Sequence, residues 1–317
     1  MTSAIPLTVL GGYLGSGKTT LLNELLASDR PGRLACIVND FGSINIDAGL
    51  VRSRSGGTVE LTNGCVCCDL SDGMASALDS IMAMDARPDQ VLVEVSGVGD
   101  PRAVGRWGNY PGFRLDMVIV CCDVETVRQR ASGRWVADTV RQQLGSADEI
   151  LLTKTDLVPQ VATDTVSQWL GGEFPDVPVT SDRPAVIDRM SRPGVSAGLT
   201  RQRVDDQVLH QNPHRSLTFE TDTQVDLPAV QRLLGQLPPT VVRAKGVLRT
   251  RSASRTVVQW VNGSLTISAD GPWRLGDTSG LVIITAGPVD ELEDLRRGLE
   301  LVFGGSRTNQ KTSRGGS

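Results

Sequence analysis

Gly12-Tyr13-Leu14-Gly15-Ser16-Gly17-Lys18-Thr19 is the stretch on which the fold turns. It fits G-x-x-x-x-G-K-[ST] and stands between an aliphatic run, IPLTVL at 5–10, and an amphipathic segment, TTLLNELLAS at 19–28. A strand entering and a helix leaving is the context that makes the motif a phosphate loop. Glycines let successive amides curl around phosphate oxygens at a helix N-terminus, where the helix dipole favours negative charge. In that reading Gly12, Gly15, Ser16, Gly17 and Thr20 belong to the nucleotide site, Lys18 reaches the terminal phosphates and the Thr19 hydroxyl takes Mg²⁺.

Outward from the loop, further short aliphatic runs lie at 34–39, 91–95, 117–122 and 149–153. Segments with helical spacing at 18–28, 72–85, 124–131 and 135–145 separate them. Strand and helix alternating in this way predict an α/β fold, a P-loop parallel sheet with helices on both faces. A chain of 317 residues has length for a second core. The P-loop domain is expected over 1–182, a linker or mobile loop over the Pro- and Gly-punctuated 183–213, and a smaller α+β domain with an antiparallel sheet over 214–304. The Gly- and Ser-rich 305–317 reads as a disordered tail.

Composition excludes several classes of function. The formal net charge is −4 with basic residues spread along the chain, and aromatics are 4%, so neither a polyphosphate backbone nor a stacked single strand is an expected partner. No run of about 18 apolar residues occurs and no cationic segment precedes the first apolar stretch. A cytoplasmic protein without membrane contact is the expectation. Lysines are confined to Lys18, Lys154, Lys245 and Lys311, so each merits a chemical reading.

Two acidic residues end strands beside the phosphate loop. Glu94, in VLVEVSGVGDP, is costly to bury unless it serves a cation or a hydrogen bond, and it is read as positioning water or Mg²⁺. Asp40, after ACIVN, is placed to sense the γ-phosphate. With Lys18 these form the expected catalytic group. Base choice is assigned to Thr153-Lys154-Thr155-Asp156: the Lys154 stem packs over the purine, and the Asp156 carboxylate accepts from guanine N1–H and the exocyclic amine, donors that adenine lacks as a pair. GTP is the expected nucleotide.

Six cysteines are crowded into the first 122 residues. Cys36, Cys121 and Cys122 sit in aliphatic runs and read as small buried side chains. Cys65, Cys67 and Cys68 form C-V-C-C between a turn and a helix start, where at least two sulfurs can meet one soft or borderline ion. The spacing is shorter than in closed structural zinc modules, so an exchangeable site with a ligand from elsewhere is expected.

GGYLGSGKTTLLN, VNDFGSINIDAGLV, ELTNGCVCCDL, EVSGVGDP and LLTKTDLV, in that order, resemble the motifs of the CobW-like P-loop GTPases. That group of metallochaperones includes nitrile hydratase activators and zinc-regulated metalloprotein activators. The resemblance spans about 5–160 and, more weakly, RAKGVLR and VVQWVNGSLTIS in the second half. It implies that Cys65, Cys67 and Cys68 are a C-x-C-C metal site and that Lys245 marks the C-terminal domain's R-x-K-G segment. It also implies a slow intrinsic GTPase. This chain has Asp40 where the family usually has Glu, and Thr153 where it often has Asn. Only His210 and His214 stand where relatives carry a His-rich stretch, and both read as solvent-facing histidines.

The expected cycle runs as follows: Mg–GTP orders 40–70, the thiolates capture a divalent ion, hydrolysis loosens the site, and the ion passes to a client metalloprotein. Zn²⁺ is the first choice of ion, with Co²⁺ or Fe²⁺ next. A homodimer is the oligomer considered. Two other classes compete: a P-loop kinase of a small metabolite, which needs neither T-K-T-D nor C-V-C-C, and a GTP-responsive zinc or redox sensor.

Overall fold

The computed structural model describes residues 4–28, 32–38, 70–194, 214–238, 240–261, 263–273, 277–286, 293–303 and 308–312. They fall into two compact units, 4–194 and 214–312.

The first unit runs β1 (Ile5–Gly11), α1 (Lys18–Ala27), β2 (Leu34–Val38), α2 (Leu70–Met82), β3 (Gln90–Glu94), α3 (Pro101–Gly105), β4 (Phe113–Asp123), α4 (Val127–Ala131), α5 (Ala137–Gly145), β5 (Glu149–Thr153), α6 (Gln160–Glu173), β6 (Val179–Thr180) and α7 (Arg183–Ser191). The strands form one sheet in the order β2-β3-β1-β4-β5-β6, with every pairing parallel. Strands β1, β2, β3 and β5 are buried along their whole length, which is why they read as unbroken aliphatic runs. The chain leaves β1 for β2 beyond β3 and later places β4 on the other side of β1. The strand order reverses at β1, and parallel sheets place ligands in the crevice outside the carboxyl ends of strands at such a reversal.

Helix α7 lies within the stretch read as a connection. Asp182 caps it by accepting from the Ala185 amide (3.0 Å), and Pro184 occupies its first turn, where a missing N–H costs nothing. Val186 and Met190, one turn apart and fully buried, join the core of Leu21, Leu22, Leu25 and Leu151. Arg183 reaches Glu24 of α1 (2.9 Å) and Arg189 forks onto Glu149 of β5. The two prolines of SDRPAVIDRMSRPG suggest an irregular path, yet the first of them opens a helix.

The second unit runs β7 (His214–Thr221), α8 (Leu227–Leu234), β8 (Val241–Leu248), β9 (Ser254–Val261), β10 (Ser264–Pro272), β11 (Ser279–Ala286), α9 (Glu293–Val302) and β12 (Thr308–Thr312). Its sheet, β10-β9-β8-β11-β7-β12, is antiparallel throughout. Phe219, Val230, Leu234, Ala244, Val258, Leu281, Ile283, Leu299 and Phe303 form its core. Gly246 is required where β8 meets β11, because a Cβ there would come within 2.5 Å of the Gly280 carbonyl. The segment read as a disordered tail contains β12, which pairs with β7 from Thr308↔Phe219 to Thr312↔Arg215. Its polar composition hides it from an apolar pattern, since an edge strand can be held by main-chain groups alone.

Candidate functional site

The phosphate loop leaves the buried β1 at Gly11 and enters α1 at Lys18. Gly12, Gly15 and Gly17 all have positive φ (130°, 72° and 88°), a region that side chains resist. At Gly12 a Cβ would also lie 2.4 Å from the Cys121 carbonyl. The Lys18 ammonium, nearly buried, donates to the carbonyls of Gly12 (2.7 Å) and Tyr13 (3.3 Å) and so lies along the loop it serves. Thr20 is exposed on the first turn of α1.

Glu94 ends β3 between the ends of β1 and β2, in register with Leu10 and Val38, and is 3% exposed. Its Oε1 accepts the Thr19 hydroxyl at 2.9 Å. A hydroxyl and a carboxylate meeting at the first turn of a phosphate-loop helix are hard oxygen donors of the kind a small divalent cation takes. The turn after Glu94 closes on the phosphate loop. Gly97 packs against Leu14 so tightly that a Cβ would stand 2.5 Å from the Leu14 side chain and 2.8 Å from its backbone.

The T-K-T-D segment follows β5 on the other side of the loop. Thr153, 2% exposed, donates its hydroxyl to the Ser16 carbonyl (2.9 Å). Its position in the structure therefore ties the T-K-T-D segment to the phosphate loop. Lys154 has φ 58° and is the one non-glycine residue with positive φ among the described residues. Its ammonium pairs with Asp123 at 2.7 Å. Asp123 is buried at the end of β4 and also accepts from the Glu125 amide (3.0 Å) and the Thr126 hydroxyl (2.9 Å). Asp156 is exposed on a 3₁₀ turn, Thr155–Leu157.

Lys18, Thr19, Glu94, Thr153, Lys154 and Asp156 are thus gathered at the carboxyl ends of β1, β3 and β5. Asp123 was missed in the sequence, although a strand-end acid after an aliphatic run is the same signal that singled out Glu94. Asp40, Cys65, Cys67, Cys68 and His210 lie outside the described residues. Among the described residues no group of three or more metal-ligating side chains occurs, and no helix is long and apolar enough to cross a membrane. Cys36, Cys121 and Cys122 are buried, as the aliphatic runs around them imply. Burial pushes the Cys121 thiol up to about 12 and moves Cys122 the same way, which leaves both without thiolate character near neutrality.

His214 corrects the expectation of a solvent-facing side chain. It opens β7 opposite Ala286, is fully buried, and burial lowers its pKa to about 4. The native ring refuses a proton that the unfolded chain takes up at about 6.5, so this contribution to stability is complete above that pH. It is lost as pH falls from about 6.5 to about 4, a change on the order of 3 kcal/mol. Urea unfolding at about pH 7 and about pH 4.5 should show that difference in the wild type and a smaller one in His214→Gln. An undiminished pH effect in the variant would assign it to other groups. Lys245, the second unit's chemically interesting residue, is nearly buried on β8 in register with Val282 and Gln259.

Two family descriptions match the chain: the CobW/HypB/UreG nucleotide-binding domain over residues 6–179, and the cobalamin synthesis protein CobW C-terminal domain over residues 214–303. A Sinorhizobium protein named zinc chaperone CobW is 25% identical over 342 aligned residues, covering 90% of this chain and 94% of the relative. Zinc chaperone YjiA of Escherichia coli K12 is 28% identical over 292 residues, covering 85% and 90%. Zinc-regulated GTPase metalloprotein activator 1 of Dictyostelium discoideum is 30% identical over 201 residues, 51% of this chain and 42% of the relative. Among solved structures, Zn(II)-bound YjiA GTPase from E. coli is similar at 24% identity and a TM-score of 0.46, covering 94% of this chain and 99% of that one.

Proposed function

The chain belongs to the CobW/HypB/UreG family and is a GTPase, and from that premise we propose that it uses GTP to load and deliver a divalent transition metal. The cargo binds at the thiols of Cys65, Cys67 and Cys68, and a client metalloprotein receives it. Zn²⁺ is the leading cargo, because thiolate-rich sites hold it more tightly than Co²⁺ or Fe²⁺. The names of the relatives, zinc chaperones and a zinc-regulated activator, support a metal-delivering role.

The observation that carries the hydrolytic part is the Thr19–Glu94 hydrogen bond. It joins the phosphate-loop hydroxyl to a buried carboxylate at the end of the neighbouring strand, and these oxygens suit Mg²⁺. Bound there, Mg²⁺ would neutralise charge on the β- and γ-phosphate oxygens. The protein's part is to cradle the phosphates with the amides of Gly12–Gly17, to counter their charge with Lys18, and to orient the attacking water from Glu94. Water adds to the γ-phosphorus and the bond to the β-γ bridging oxygen breaks, giving GDP and phosphate. Lys154 and Asp156 hold the guanine, and Thr153 keeps their loop in register with the phosphates. Asp40 reports the γ-phosphate to the segment that carries the thiols.

Because nucleotide and metal then bias one equilibrium, each must change the affinity of the other by the same factor. A competitive Zn²⁺ against Co²⁺ titration of the Mg–GTP, Mg–GDP and nucleotide-free protein should give tightest binding with Mg–GTP, by about tenfold or more over Mg–GDP. Changing Cys65, Cys67 or Cys68 to Ser one at a time should abolish that difference. Equal affinities in the GTP and GDP states would remove the coupling, and unaltered affinity in all three variants would remove the site.

A further inference from the structure

We propose that Arg130 and Gln143 are positioning residues for GTP hydrolysis, gripping the phosphate loop and the turn after Glu94 from a small cavity that they share. The proposal rests on the GTP-hydrolysing reading and extends it to two side chains from which that reading asks nothing.

Arg130 projects from α4 and is 8% exposed. Its Nη1 donates to the Leu14 carbonyl at 2.8 Å, and its guanidinium carbon lies 5.0 Å from the centre of the Tyr13 ring. Gln143 projects from α5 and is 2% exposed. Its Nε2 donates to the carbonyls of Gly99 (2.8 Å) and Gly97 (3.3 Å). Leu14 and Gly97 are the two residues that pack backbone to side chain across the seam between the loops. One polar side chain therefore holds each bank of that seam.

The two grips meet. Ser16, Arg130 and Gln143 line one cavity of about 20 Å³ with Tyr13, Cys121 and Asp123. Arg130 Nε and Nη2, Gln143 Oε1 and Ser16 Oγ are buried without a hydrogen-bond partner among the described residues. Buried polar atoms without partners are costly, and a cavity of this size with two to four such partners is suited to one water molecule. Such a water would accept from Arg130 and donate to Gln143, joining the two grips into one support. Burial disfavours the charged guanidinium, and buried Asp123 beside it opposes that effect. The support is therefore also joined electrostatically to the carboxylate that holds Lys154.

Neither side chain is placed to touch phosphate; each fixes a backbone that does. Transition-state charge in phosphoryl transfer is held by preorganised amides, and displacing them by a fraction of an ångström slows the reaction. GDP lacks the γ-phosphate at which hydrolysis occurs, so its binding should depend little on Gln143. This divides a positioning role from a purely structural one.

The test is single-turnover hydrolysis of prebound Mg–GTP, with GDP affinity and thermal midpoint measured on the same full-length variants. Gln143→Met should slow hydrolysis by about tenfold, the worth of one well-made hydrogen bond at the transition state. Its GDP affinity should stay within about threefold of wild type. Arg130→Met should slow hydrolysis by at least as much, and Arg130→Lys, which keeps a donor for the Leu14 carbonyl, should recover most of the rate. Gln143→Glu, equal in size but unable to donate to either carbonyl when ionised, gives the same reading if Gln143→Met does not fold. Unchanged hydrolysis in the Gln143 and Arg130 variants, or equal loss of hydrolysis and GDP affinity, overturns the proposal. Wild-type protein that fails to hydrolyse GTP would instead overturn the reading on which it rests.

Discussion

Glu94→Gln is expected to lower the single-turnover rate of GTP hydrolysis by about 100-fold or more while leaving GDP bound and the fold intact. The substitution keeps size and shape at a position that is 3% exposed. The amide oxygen can still accept the Thr19 hydroxyl that Glu94 Oε1 accepts at 2.9 Å, so the contact between β3 and the phosphate loop survives. What disappears is the negative charge proposed to orient water and to help hold a divalent cation. Burying a carboxylate in such a place is unfavourable for folding, so the thermal midpoint should be equal to wild type or higher. A rate within about threefold of wild type would move the water-positioning role elsewhere.

Asp156→Asn should weaken GTP binding on the order of 10³-fold and shift preference toward xanthosine triphosphate. A carboxylate accepts from both guanine N1–H and the exocyclic amine, whereas an amide accepts one bond and donates the other. Xanthine, with an oxygen in place of the amine, suits the amide. Asp156 is exposed on its 3₁₀ turn, so stability should not change. Competition among GTP, ATP and xanthosine triphosphate for the wild type and the variant reads the result directly. Undiminished GTP preference in the variant would place the base away from this loop.

The phosphate loop and its sheet were legible because their signals are local. A glycine pattern, a strand that enters and a helix that leaves all lie within about 25 residues, and five aliphatic runs reappear as five parallel strands. Glu94 was legible for a related reason, since an acid ending a buried strand has few roles. Helix α7 is obscured by its own signal: the Pro- and Gly-punctuated 183–213 reads as a linker, although proline in a first turn after a capping Asp182 opens helices. Thr153 presents a further case. Its sequence position points to the base, yet its hydroxyl is directed to the Ser16 carbonyl. Arg130 and Gln143 could not be found from the chain, because their partners, Leu14 and the Gly97–Gly99 turn, lie more than 40 residues away in sequence. Only the sheet order brings α4 and α5 beneath the phosphate loop. Burial of His214 is likewise a property of β7 within its sheet, and two histidines beside a proline carry no sign of it.

The left-handed backbone of Lys154 has a consequence for how quickly the protein finds its nucleotide. A side chain in that conformation costs about 1–2 kcal/mol, and here the cost is met during folding, by the ion pair to Asp123 and the Thr153–Ser16 staple. On the proposed reading, the loop that takes guanine is held by these two contacts before the base arrives. A rigid receptor loses little freedom on association, so capture of the guanine base should be fast, and any slower phase should belong to the γ-phosphate-dependent ordering of 40–70. Discrimination among purines would then be expressed in how long each one stays.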